Sequence, residues 1–176
     1  MDGHELVTRY KAGERDFCRA HIGFADLQGA DLRQIDLSGA SLIDAKLHKA
    51  NLAGADLSWT SFLGADLSEA DLSGARMSQV VLHGANLRRA KLRGADLENS
   101  FLSAADLDGA DLRDANLRGA DLERARLSNA DLRGADLREA SLRSATLDGA
   151  NLEEARVTAE QLAQARSLKG AHLPEG

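Results

Sequence analysis

Residues 104–122 read AADLDGADLRDANLRGADL, and the spacing of their leucines decides the fold. Leu107, Leu112, Leu117 and Leu122 recur at every fifth position, each with Ala two residues before it and Asp or Asn directly before it. An α-helix cannot use that period, because at about 3.6 residues per turn a stripe repeating in fives wanders around the whole circumference. In an extended segment, by contrast, Ala and Leu lie two apart and share one side, while the Asp or Asn between them faces the other. Each pentad therefore reads as a short strand-like edge. Its last two positions, rich in Ser, Arg, Glu and glycines such as Gly54, Gly64, Gly74, Gly84 and Gly94, suit a bend.

The same register runs outward in both directions. From Phe17 to Val157 an apolar residue stands at every fifth position without a gap, which makes 29 consecutive pentads of the form A-(D/N)-L-x-x. The bulk composition agrees with so regular a unit. Of the 176 residues 43% are hydrophobic, almost all Leu and Ala, and only 3% are aromatic, so a globular core of large interlocking side chains is not expected. The net charge is −6, with 22 basic and 28 acidic residues interspersed. That pattern offers no basic stripe for direct nucleic-acid binding and no polybasic segment for an anionic membrane. A run of about eighteen apolar residues, which a membrane helix needs, is absent. The opening residues lack the layout of a signal peptide, and Cys18 is the single cysteine, so a cytoplasmic location without a disulfide framework is expected.

The repeat closely resembles the A(D/N)LXX motif of the pentapeptide-repeat family, and the resemblance covers roughly residues 15 to 158. It implies an all-β solenoid, a right-handed quadrilateral β-helix in which four pentads make one square coil and residue n lies beneath residue n+20. The central apolar residue and the preceding small residue then point inward. On this register Phe17, Leu37, Leu57, Phe62, Met77, Leu82, Leu97 and Leu117 are core, with Phe62 replacing one leucine between Leu42 and Leu82. The register gives about seven coils and, at roughly 4.8 Å per rung, a rod on the order of 34 Å long.

Open coil ends expose core and unpaired backbone, so caps are expected. Residues 1–14 form the candidate N-terminal helical cap, with Leu6, Val7 and Tyr10 inward and Gly13 as the stop. Residues 15–158 form the repeat body, and residues 159–176 a C-terminal helical cap and tail. There Thr158 and Gln161 have capping-box spacing before QLAQARSL, whose Leu162, Ala165 and Leu168 are expected to cover the last coil.

The outward residue before each central position forms a ladder, for example Asp26, Lys46, Asp66, Asn86, Asp106, Arg126, or Asp36, Asp56, Arg76, Asp96, Asn116, Asp136, Arg156. Two like charges about 5 Å apart repel by roughly 0.8 kcal/mol even in bulk water, and interposed cations or amides relieve most of this. The acids therefore read as solvated ladders and not as paired catalytic carboxylates. His4, His21, His48, His83 and His172 lack ligand spacing. His21 and His83 share a face but lie on the order of 14 Å apart, too far to share a metal. No nucleophile elbow, phosphate loop or dinucleotide fingerprint is present. The chain is expected to be no enzyme and to need no cofactor or metal.

Departures from the rule concentrate on one face. Its outer column reads His21, Ser41, Ser61, Val81, Phe101, Asp121, Ser141, and the column after the central residue reads Gly23, Ile43, Leu63, His83, Ser103, Glu123. Trp59 stands at the corner leading into it, in the stretch WTSFL at 59–63. Ile43, Trp59, Leu63, Val81 and Phe101 are thus the candidate interaction patch, since clustered outward apolar and aromatic residues mark interfaces. The expected role is a rigid scaffold for a protein partner or a second copy. Family resemblance also implies an alternative, a DNA-mimicking gyrase-binding protein, and a rod without a binding role is a third reading. Against mimicry, about 34 Å of B-DNA carries roughly twenty phosphate charges, whereas this rod has a net −6 with arginines on every face.

Overall fold

A computed structural model describes residues 1–175. The ladder follows the twenty-residue register: Asp16 pairs in parallel with Asp36, Asp36 with Asp56, and the same column continues through Arg76, Asp96, Asn116 and Asp136 to Arg156. The other three columns do likewise, for example Asp31–Asn51–Asp71–Lys91–Asp111–Asp131–Asn151. Each rung is held by two backbone bonds: the Leu92 amide donates to the Asp111 carbonyl at 2.7 Å, and the Asp111 amide to the Ala90 carbonyl at 3.0 Å. The chain therefore winds as a four-sided stack, and successive coils bond through the main chain, whatever the outward side chains are.

The interior is almost wholly apolar. Leu37, Leu57, Phe62, Met77, Leu82, Leu97 and Leu117 are all fully buried and Phe17 is 3% exposed. Inward alanines such as Ala65 and Ala95 let neighbouring edges approach. Where Thr60 takes the alanine place, its hydroxyl donates to the Leu37 carbonyl at 2.7 Å, which removes the penalty of a buried polar group.

Two local devices shape the corners, the first wherever Asp or Asn stands outward and the second throughout the repeat. The outward Asp or Asn accepts from the amide two residues on, as Asp71 does from Ser73 at 3.0 Å and Asn116 from Arg118 at 3.1 Å. This bond fixes the start of the bend and explains why the position prefers Asp and Asn over other polar residues. Two residues after each leucine the backbone then enters the left-handed region, with φ of 64 to 68° at repeat glycines such as Gly74 and Gly119.

The N-terminal end is closed by α1, Gly3–Lys11. Asp2 caps it by accepting from the Glu5 amide at 2.8 Å, and Leu6 is fully buried against the first coil. The Tyr10 hydroxyl donates to the Arg33 carbonyl at 2.8 Å.

The C-terminal end differs from the sequence expectation. The capping box of Thr158 and Gln161 forms, but α2 spans only Ala159–Ala163. QLAQARSL is therefore not one helix. Beyond it the chain rejoins the ladder, Ser167 pairing with Thr146 and His172 with Asn151. The reason is visible in SLKGAHL: Leu168 and Leu173 are again five apart, and Gly170, with φ of 70°, takes the corner. Both pairs are offset by 21 residues instead of 20, and the excess is absorbed as a bulge. The Arg166 amide donates to the Ala145 carbonyl, while the Leu147 amide donates to the Ser167 carbonyl, so Arg166 and Ser167 together oppose Thr146.

Candidate functional site

The patch residues fall on one side of the stack. Ser61, Val81 and Phe101 are consecutive rungs, and the column ends in Asp121 and Ser141. Phe101 is 47% exposed and Leu63 39%, whereas Ile43 and Val81 are half-buried between their neighbours. Trp59, 61% exposed, stands at the corner and lines a groove with Cys18, Arg19, Ser38 and Gly39, so its ring extends toward the preceding face. The aromatic corner thus borders the patch while reaching away from Leu63.

One residue escaped the sequence reading. Phe24 is the most exposed large apolar side chain, at 75%, and its amide donates to the Ile43 carbonyl at 2.8 Å. It occupies the corner on the far side of the same face, in the column Phe24, Asp44, Gly64, Gly84, Ala104, Arg124. Folding the sequence at twenty would have found it had the corner columns been read as well as the two outward ones.

The patch is held against local preference in two ways. Among the described residues no side chain accepts from the amides of Ile43, Leu63, His83 or Ser103, because Ser41, Ser61, Val81 and Phe101 replace the turn-forming acid; on this face only Asp121 keeps that bond, to Glu123. In addition, Phe24 and Trp59 have φ of 61° and 62°. Left-handed backbone disfavours a residue with a side chain by about 1–2 kcal/mol relative to glycine, and these are the bulkiest residues at any corner.

Elsewhere the outward groups are engaged with each other. Arg113 forks onto Asp111 at 2.8 and 2.6 Å and reaches Asp131 at 3.7 Å; Arg133 holds Asp131 in the same way. Asn116 donates to Asp96 at 3.0 Å and Asn86 to Asp66 at 3.2 Å. The Arg138 guanidinium, with the Arg138 amide assisting, lowers the Asp136 carboxyl to about 2. Asp26 is lowered by hydrogen bonds from Gln28, and Asp31, Asp111 and Asp131 by those from Arg33, Arg113 and Arg133. Every carboxylate that moves, moves down, which is the wrong direction for a general acid. The Nδ1 atoms of His48 and His83 lie 2.9 and 2.7 Å from the hydroxyls of Ser68 and Ser103. No group of three His, Cys, Asp or Glu among the described residues is placed to hold a metal ion, and no described helix is long and apolar enough to cross a membrane.

The family profile described as Pentapeptide repeats matches the chain in 8 copies over residues 20–58, 60–99, 85–124 and 120–158. No curated protein sequence is a significant match. Among solved structures the chain is similar to HetL, a pentapeptide repeat protein involved in heterocyst differentiation regulation in the cyanobacterium Nostoc sp. strain PCC 7120. The identity is 32%, covering 98% of this chain and 94% of that one, with a TM-score of 0.45. It is also similar to the pentapeptide repeat protein Rfr23 of the cyanobacterium Cyanothece 51142, at 24% identity, 97% and 99% coverage and a TM-score of 0.52. QnrB1, a plasmid-mediated fluoroquinolone resistance protein, matches at 22% identity, 87% and 79% coverage and a TM-score of 0.36. The family match and the likeness to Rfr23 imply the right-handed quadrilateral form of the β-helix.

Proposed function

This chain belongs to the pentapeptide-repeat family, and from that premise we propose that it is a non-catalytic scaffold that captures a protein partner through the face carrying Ile43, Leu63, Val81 and Phe101, with Phe24 and Trp59 at its corners. The observation that carries this reading is the conjunction on one side of the stack. Exposed Phe and Leu cluster there, and the turn-forming acids are given up there. A rod with no binding role would gain from Asp alternating with Asn at these positions and from Gly at both aromatic corners. The alternative of a DNA-like acidic rod is weaker, because arginines bridge the acidic ladders, as Arg113 does between Asp111 and Asp131.

The test is a double variant, Val81→Asp with Phe101→Asn. Both substitutions restore a turn-forming acceptor, and Asn avoids a like charge against Asp121 on the next rung. Affinity capture from the native cell extract, with sedimentation to detect self-association, is expected to give a partner or a dimer with the wild type and neither with the variant. Unchanged capture and unchanged sedimentation by a correctly folded variant would overturn the proposal.

A further inference from the structure

The second departure from the repeat lies beyond the last apolar rung of the patch, at the corner near the C-terminal end. In the column Asp26, Lys46, Asp66, Asn86, Asp106, each cation or amide stands between carboxylates. That alternation stops at Asp106. The next rungs are Arg126 and Thr146, and the bulge then places Arg166 and Ser167 together over Thr146. The corner beside them carries Arg124 and Ser144, both with left-handed backbone. As a result Arg124, Arg126, Ser144, Thr146 and Arg166 line one surface concavity, three guanidiniums around two hydroxyls in a chain of net charge −6.

The carboxylates nearby do not neutralise the cluster. Asp106 is shared, 3.6 Å from Arg126 and 3.5 Å from Arg88. Glu123 lies 3.8 Å from Arg124 and 3.9 Å from Arg143, long contacts between largely exposed groups that bind weakly. Asp148 accepts from the Ser167 hydroxyl and from the Lys169 amide, so the bulge's serine is turned away and its arginine is left. Among the described residues Arg166 itself makes no ion pair. Bulges re-aim side chains, and here the Arg166 backbone stands two rungs above that of Arg126, roughly 10 Å along the rod. Two arginine side chains of ordinary length can converge across that gap on one anion.

We propose that Arg124, Arg126 and Arg166, with the hydroxyls of Ser144 and Thr146, form a binding site for a phosphate group. The planar guanidinium fork matches tetrahedral oxyanions with paired hydrogen bonds, and the hydroxyls donate to the remaining oxygens. The site adjoins the apolar face at the corner of Arg124, and Arg126, Thr146 and Arg166 lie on the next side of the stack.

The experiment follows the arginine Nε–H signals of the full-length ¹⁵N-labelled protein while sodium phosphate replaces sodium chloride at constant ionic strength. A parallel arm uses glycerol phosphate, a phosphate monoester. Saturable shifts confined to Arg124, Arg126 and Arg166 are expected, and Arg126→Gln with Arg166→Gln should weaken the titration by at least about tenfold. Tighter binding of the monoester would assign the site to a phosphorylated group on a larger ligand, and tighter binding of inorganic phosphate to the free ion. Thr146→Val, which keeps shape and removes one hydroxyl, should weaken binding several-fold in a protein with an unchanged circular dichroism spectrum. Shifts that fail to saturate, that spread equally to Arg93 and Arg113, or that persist in the double variant would overturn the proposal.

Discussion

The sides of the stack carrying Asp111 and Phe101 lie half a coil apart, on opposite edges of the square, and are built on the same interior. Leu112 and Leu102 are both fully buried, and their amides donate to the next coil at 2.7 and 2.8 Å. Outside, they diverge. The Asp111 side turns its acids back onto its own backbone and arginines: Asp111 and Asp131 each accept from an amide two residues on and from a guanidinium. The Phe101 side makes almost none of these bonds and exposes apolar surface in their place. The fold does not require that substitution, since the main chain pairs equally well on both sides. The comparison teaches that stability here is written inside and in the turns, which leaves the outward residues of one side available for another purpose.

The strongest way to break this comparison is to strike the shared interior. Phe62→Ala behind the apolar side should destabilise by about 3–5 kcal/mol and Leu112→Ala behind the acidic side by about 2–5 kcal/mol. Urea unfolding checks both. A tolerant Phe62 site would mean that the apolar side is loosely packed and not merely unadorned. A smaller effect sharpens the contrast in the turns. Ser61→Asp supplies an acceptor for the Leu63 amide and should stabilise by about 0.5–1 kcal/mol, while Asp71→Ser removes the bond from Ser73 and should destabilise by a similar amount. Equal signs in thermal melts would refute the role assigned to the acidic position.

The smallest effect is one of pH. Asp136, held at about 2 by Arg138 against an ordinary value of 3.8, has a depressed folded pKa. Its contribution is fully present above pH 3.8 and is lost as pH falls toward about 2. Arg138→Gln should remove that part of the acid dependence, so that wild type and variant differ most above pH 4 and converge near pH 2. A constant difference across the range would show that Arg138 acts by packing and not by charge.

How much of this was legible beforehand depends on how far each feature obeys a fixed period. The five-residue spacing specifies the inward leucines, and the family's twenty-residue register places Val81 beside Phe101. The same register assigned acids to ladders but not to their main task, because a hydrogen bond to a neighbouring amide leaves no mark on spacing. Phe24 was hidden by position: corners tolerate many residue types, so an aromatic there breaks no pattern. The return to the ladder after α2 was obscured by a single extra residue, which shifts Leu168 and Leu173 out of phase with the inward leucines of the repeat.

Because every coil bonds to its neighbours through the same main-chain rungs, the molecule is a ruler graduated in whole coils. The aromatic corner at Phe24 and the arginine corner at Arg124 share one edge and are separated by five twenty-residue steps, roughly 24 Å at 4.8 Å per rung. Deleting or duplicating one coil between them would change that distance by a single graduation while leaving both ends chemically intact. Any ligand that touches the two marks at once would read length as well as composition.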